Sequence, residues 1–148
     1  MTSGNWVHLV DPTTSDLSSA APMNLHPLAT ERLEETEAFG DEAFPCLEDH
    51  SSDSTDHYLF GELAFPVFDP ATTSVGTLSI RMVVDFDRMV TVLRSPEDMP
   101  PGITVPYLTD LPLQAAGMDT GACMWLLLDR VAGEIKTLVL EAESRAED

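Results

Sequence analysis

The residues best equipped for chemistry lie in one run, Glu48-Asp49-His50-Ser51-Ser52-Asp53-Ser54-Thr55-Asp56-His57. Carboxylate oxygens suit Mg2+ or Ca2+, and the two imidazoles extend the choice to Zn2+. Asp49, His50, Asp53, Asp56 and His57 are therefore the candidate ligands. The spacing is not that of an EF-hand, because the glycine and the closing bidentate Glu are missing, and the HExxH pattern of a catalytic zinc helix is absent. The plainer reading of the same run is a solvated acidic loop, and the sequence favours it. Other chemistry is scarcer. The chain has no GxGxxG after a strand, no GxxxxGK[ST] and no GxSxG. His8 falls in a strand pattern and His26 at a helix start, neither close in sequence to a Ser or Cys nucleophile. The expectation is a protein that is not an enzyme. Cys46 and Cys123 show no CxxC spacing and are expected as two reduced thiols.

Charge narrows the partners. The 148 residues hold 26 Asp and Glu against 7 Lys and Arg, a formal charge of −19. Phosphate recognition needs clustered Lys and Arg, so nucleic acid is excluded as a partner, and direct binding to an anionic membrane surface is disfavoured for the same reason. The acids are densest over Glu31–Asp56, where only Arg32 opposes them. Hydrophobic residues make up 43% of the chain, too many for a disordered acidic tail, so a folded core beneath an acidic shell is expected. Nothing approaches the ~20 apolar residues of a spanning helix, and no basic-then-apolar leader opens the chain. The expectation is a soluble, intracellular domain.

The elements that would position these residues follow from periodicity. Trp6–Val10 predicts a short strand ended by Asp11-Pro12. Asp16 is the expected cap of a short helix over Leu17–Ala21. Asn24 is the expected cap of a second helix, with Pro27 in its first turn and Leu25, Leu28 and Leu33 as its apolar stripe. Gly40–Asp56 reads as a loop. The middle reads as β. Tyr58–Phe68 and Thr77–Phe86 alternate with period two, Met89–Leu93 makes a third strand, and Asp85-Phe86-Asp87-Arg88 is the expected hairpin turn. Ser95–Pro112, with five prolines, reads as an irregular connection. Met124, Leu127, Leu128, Val131, Ile135 and Leu138 then mark a long helix capped by Asp119 or Thr120. Phe60, Phe65, Phe86 and Trp125 are expected in the core. Glu141–Asp148 carries no Gly or Pro stop, so the natural chain is expected to continue past residue 148.

The order of these landmarks resembles the cytoplasmic N-terminal domain of the CorA family of divalent-cation transporters. The matching residues are Trp6-Val7-His8-Leu9-Val10-Asp11-Pro12, Leu25-His26-Pro27-Leu28-Ala29-Thr30-Glu31, Tyr58-Leu59-Phe60 and the helix Met124–Val131. The resemblance spans residues 5–148. It implies a single α/β domain with a mixed, mostly antiparallel sheet flanked by helices and a long C-terminal helix, ending before the pore helices. Departures are visible: Phe44-Pro45-Cys46 keeps only the Pro of the family's Arg-Pro-Lys, and Glu48–Asp56 is longer and more acidic. Gly117-Met118-Asp119 is a near-match to the family's Gly-Met-Asn in the wrong setting, since no pore helix precedes it.

For function the resemblance implies metal sensing on the cytoplasmic side of a membrane, with carboxylates at subunit boundaries holding Mg2+ as a regulatory ligand. Two carboxylates ~4 Å apart repel by ~4 kcal/mol at an effective dielectric of 20, and a divalent cation between them turns that into attraction. Carried over by position, the sensing acids are Glu31 and Asp129. Arg32 stands where the family can use a second acid, so either a second ion is missing or Arg32 replaces it with a direct ion pair. The resemblance also implies a pentamer for the full-length protein. At −19 per copy, this chain alone is expected as a monomer or weak dimer in low salt without divalent ions. Two alternatives stand beside this reading: a free-standing acidic α/β module that binds a partner, and the domain of a zinc-transporting relative.

Overall fold

The computed structural model describes residues 5–20, 25, 27–35, 46–51, 57–69, 71, 74–96, 108 and 110–146. Five strands are present among them: β1 (Trp6–Val10), β2 (Cys46–Ser51), β3 (His57–Asp69), β4 (Ser74–Val84) and β5 (Met89–Leu93). Four helices accompany them: α1 (Thr14–Ala20), α2 (Pro27–Glu34), α3 (Asp110–Gln114) and α4 (Thr120–Ala146). The strands form one sheet in the order β1-β5-β4-β3-β2. Only the β1–β5 pair is parallel, so the sheet is mixed and mostly antiparallel, as expected.

Both faces of the sheet are covered, which makes three layers. On one face Trp6, Phe65, Leu78, Ile80, Met82, Val84, Met89 and Leu93 pack under Leu108, α3 and α4, which contribute Leu111, Ala115, Cys123, Leu127 and Val131. On the other, Phe60, Val83, Val90 and Val92 pack under α1 and α2 through Leu17, Ala29 and Leu33. This double cover explains why β5 is buried at all five positions instead of alternating. The 13 residues of β3 span about 43 Å and the 27 of α4 about 40 Å, so the helix can lie along the whole strand.

Local chemistry sets the ends of the elements. Asp11 closes β1 in the left-handed region (φ 46°), which Asp tolerates better than most residues, while its carboxylate accepts bonds from the Ser95 amide and hydroxyl, each at 2.8 Å. The Asp85 carboxylate accepts the amides of Asp87 and Arg88 and so builds the β4–β5 turn. Asp119 caps α4 by accepting the Ala122 amide at 2.8 Å.

Several sequence expectations are corrected. α1 is capped by Thr13, not Asp16: the Thr13 hydroxyl accepts the Asp16 amide, and Asp16 returns the bond to the Thr13 amide, a capping box one turn earlier than expected. In α2 the buried positions are Ala29 and Leu33, while Leu28 is 63% exposed. Asn24, the expected cap of this helix, lies outside the described residues. Pro112 belongs to α3, within the stretch read as irregular. Trp125 (63%) and Phe86 (85%) are exposed, so two of the four expected core aromatics lie at the surface. Leu128 and Ile135 also face out, because α4 turns only one stripe, Cys123, Leu127 and Val131, fully onto the sheet.

Gly133 sits inside α4, where a methyl group would meet nothing within 4 Å. Gly133→Ala should therefore stabilise the fold by about 1 kcal/mol and raise the thermal midpoint by about 2–4 °C. A lower midpoint would show that this turn is packed against something.

Candidate functional site

The basic residues are six arginines and Lys136, seven in all, and four of the arginines tie the α1–α2 layer to the sheet. Arg88 donates to the carbonyl of Ala20, the last residue of α1, at 3.0 Å. Arg94 donates to Leu33 O in the last turn of α2 at 2.8 Å and to Pro12 O at 3.2 Å. Arg81 donates to the carbonyl of Glu35, just beyond α2. Carbonyls at helix ends lack intrahelical partners and carry the negative end of the helix dipole, so guanidinium groups satisfy both needs.

Arg32 reaches the sheet in the opposite sense. It bonds Glu62 Oε2, and Glu62 Oε1 lies 3.7 Å from Arg81 Nε. Glu62 and Arg81 are direct cross-strand partners in the β3–β4 register, with side chains only 2% and 3% exposed. Within the chain Arg32 pairs with Glu62 and, at 3.8 Å, with Glu35, neither of them an expected sensing acid. Sequence alone sets Glu62 and Arg81 on the polar parity of their strands and does not show that α2 buries that parity. The findable signal is two opposite charges at polar positions of two consecutive expected strands.

The expected metal ligands are placed as follows. Glu31 is exposed on α2 and Asp129 exposed on α4. These helices cover opposite faces of the sheet, so one chain does not bring the two acids together. Arg130 pairs with Asp110 of α3 at 2.7 Å, and this guanidinium holds the Asp110 carboxyl below the usual carboxylate range. The Glu48–His57 run is not a loop throughout: Cys46–Ser51 forms β2 and His57 opens β3. The reason is pairing, since β2 finds a partner strand in β3 with His50 opposite Tyr58 and Ser51 opposite His57. His50 and His57 therefore hold ladder positions of opposite parity. Asp49 also lies in β2, while Asp53 and Asp56 fall outside the described residues. Among the described residues no group of three or more His, Cys, Asp or Glu is arranged to hold a metal. Gly117-Met118-Asp119 forms the α3–α4 turn, with Gly117 at φ 81° and Met118 O accepting Asn5 Nδ2 at 2.6 Å.

A second polar group lies under the other face. Thr91, fully buried, accepts the Trp6 indole N–H at 2.9 Å and shares a hydrogen with His8 Nδ1 at 2.7 Å. His8 Nε2 is buried and has no hydrogen-bond partner among the described residues. Burial without compensation disfavours the imidazolium and pushes the His8 pKa down to about 4. Burial likewise raises the Cys123 thiol, with the Asp119 charge adding to it, which keeps this cysteine protonated in the core. Two clefts open beside α4. One of about 590 Å3 lies between Tyr58, Leu59, Val84, Phe86 and Met124, and one of about 340 Å3 between Phe68, Val75, Leu138 and Ala142.

No protein-family model matches the sequence. No curated protein matches it either. Among solved structures, that of the full-length CmaX protein is similar, with a TM-score of 0.66 at 16% sequence identity over 96% of this chain. The match covers 40% of the CmaX chain, so this chain spans about two-fifths of that protein's length. At this identity the likeness shows a shared fold. No helix among the described residues is long and apolar enough to cross a membrane.

Glu62→Ala should cost about 3–5 kcal/mol, because it removes the carboxylate that faces the buried Arg81 guanidinium, whereas Arg32→Ala, which removes a half-exposed partner and leaves Glu62 beside Arg81, should cost less. Equal small losses in urea unfolding would contradict the buried pair. For His8, the unfolded chain binds a proton below pH 6.5 and the native chain only near pH 4. Its contribution is thus fully present above pH 6.5 and lost as pH falls towards 4. Comparing midpoints at two pH values in that window, the wild type should lose more stability on acidification than His8→Gln. Parallel curves would refute the depressed pKa.

Proposed function

We propose that this chain is the soluble, metal-sensing regulatory domain of a CorA-like magnesium and cobalt transport protein, lying on the cytoplasmic side of the membrane and binding divalent cations through surface carboxylates. The reading rests first on the ordered landmarks from Trp6 to Val131. The likeness to part of the longer CmaX chain is in keeping with a domain of a longer protein. The observation that carries the metal role is the placement of the charges. Arg32, Arg81, Arg88 and Arg94 are drawn onto helix-end carbonyls and Glu62, while Glu31 and Asp129 stay exposed on opposite layers.

Acids on opposite layers of one chain share an ion only across a boundary between chains, where Glu31 of one copy meets Asp129 of the next. Mg2+ suits such a site because it takes a few carboxylates and keeps several waters. Bound there, it offsets the repulsion between copies that each carry −19. The domain performs no catalytic step in this account. Its output is the geometry of the assembly, tightened when the ion is present and loosened when it leaves.

The test is the thermal midpoint with and without millimolar Mg2+, at ionic strength matched with NaCl. Mg2+ should raise the midpoint beyond the NaCl control, and Glu31→Ala and Asp129→Ala should each reduce that rise. Identical Mg2+ responses in parent and variants would remove both acids from the proposal. Repeating the titration with Co2+ and Zn2+ separates the magnesium and cobalt reading from that of a zinc-transporting relative.

A further inference from the structure

The larger cleft beside α4 plays no part in metal sensing. It holds about 590 Å3 at the end of the sheet where β3 begins, β4 ends and α4 starts, a volume typical of small-molecule sites. Its lining is mostly apolar, through Leu59, Val84, Phe86 and Met124. Two residues of this lining are not explained by the fold. Phe86 is 85% exposed, and the turn it occupies is built by the Asp85 carboxylate without any help from an aromatic ring. Gly121 stands in the first turn of α4, outside the left-handed region, where a Cβ would meet only Asp119 Oδ1 at 3.4 Å. Neither backbone nor packing requires a glycine there, and glycine weakens a helix. A ring at the mouth of a cleft and a gap in its wall are both accounted for by a ligand.

The polar groups of the cleft decide the class of ligand. Asp85 Oδ1 accepts the Asp87 and Arg88 amides at 2.8 and 2.7 Å, which fixes the carboxylate in its turn. Asp85 Oδ2 has no hydrogen-bond partner among the described residues, and neither has the Thr120 hydroxyl, which lines the same cleft. A carboxylate oxygen and a hydroxyl set among apolar walls suit a group that donates hydrogen bonds, carries a positive charge and is attached to hydrocarbon. We propose that this cleft binds a small organic amine in its ammonium form. Asp85 Oδ2 and the Thr120 hydroxyl accept its N–H groups, and its hydrocarbon body lies against Leu59, Phe86 and Met124.

Charge complementarity disfavours the other ligand classes. An anion would meet Asp85 in the cleft, Asp87 and Asp119 next to it, and a charge of −19 on the chain. A neutral apolar molecule would fill the walls and leave the Asp85 carboxylate without a counter-charge. A bare Mg2+ takes about six oxygen ligands, whereas the cleft offers one carboxylate among apolar side chains. Because Asp85 is already held by two backbone amides, little side-chain freedom is lost when the ammonium binds. The site uses neither Glu31 nor Asp129 and needs no divalent ion, so its test is separate from that of the sensing proposal.

NMR titration of the whole isotope-labelled chain with phenethylammonium tests the site, in about 150 mM NaCl so that diffuse attraction to the acidic exterior is screened. The expected result is saturable binding with a Kd of about 1 mM or tighter, and shifts confined to the β4–β5 turn, the start of β3 and the first turn of α4. Phenethyl alcohol should bind at least about fivefold more weakly, and phenylacetate should not bind. Asp85→Asn keeps an oxygen for the two turn amides but loses the charge, so it should weaken amine binding by at least about fivefold with little change in thermal midpoint. Gly121→Leu places a side chain in the wall of the cleft and should abolish binding, while the midpoint holds or rises because leucine is the better helix former. Shifts spread evenly over the acidic exterior, equal affinity for the alcohol, undiminished binding by either variant, or displacement of the amine by Mg2+ at matched ionic strength would each overturn the proposal.

Discussion

Guanidinium groups on helix-end carbonyls hold the α1–α2 layer onto the sheet. α1 and α2 are short, seven and eight residues, and bury only Leu17, Ala29 and Leu33 fully, too little apolar surface to fix their position alone. Arg81, Arg88 and Arg94 reach from the sheet side to carbonyls at or beside the C-terminal ends of these helices, and Arg32 reaches back to Glu62. The sheet and its far layer follow a simpler logic, in which a long hairpin and a long helix of matching length bury a continuous apolar face. Removing an arginine therefore affects one layer, whereas removing Leu127 or Ile80 affects the whole core.

That constraint shapes the electrostatics of the exterior. A chain with 26 acids and 7 bases has few cations to distribute, and this one places most of them where backbone dipoles and a buried glutamate require them. Arg130 and Arg145 are engaged by Asp110 and Glu141, the latter guanidinium also lying 4.6 Å over the Phe68 ring. The exterior acids of the described residues thus have little internal neutralisation. Mobile cations or a second molecule must supply it.

How much of this was legible in the sequence depends on the element. Period-two alternation in Tyr58–Phe68 and Thr77–Phe86 located the two central strands but not their pairing, and the Trp6–Val10 and Met89–Leu93 strands followed from β-branched content and turn residues. β2 was hidden because Cys46–Ser51 is short, polar and acidic, and it becomes a strand only through its partner β3. The Glu62–Arg81 pair was hidden because alternation reports two faces but not whether both are covered. On α4, spacing alone merged two stripes into one. Leu127 and Leu128 are neighbours in sequence, yet one lies in the core and the other is exposed, and only the position of the sheet separates them. For Glu31 and Asp129, sequence supplied the residues but not their separation onto opposite layers.

The most direct check is hydrogen exchange of the α2 amides as NaCl is raised from about 50 mM to 1 M, where the screening length falls to about 3 Å. Close, partly buried arginine contacts resist screening, while repulsion among the outer carboxylates does not. Protection of α2 should therefore stay constant or increase with salt. A progressive loss of protection would mean that exposed, screenable pairs hold the layer in place, and the account of inward arginines beneath an unneutralised exterior would fail.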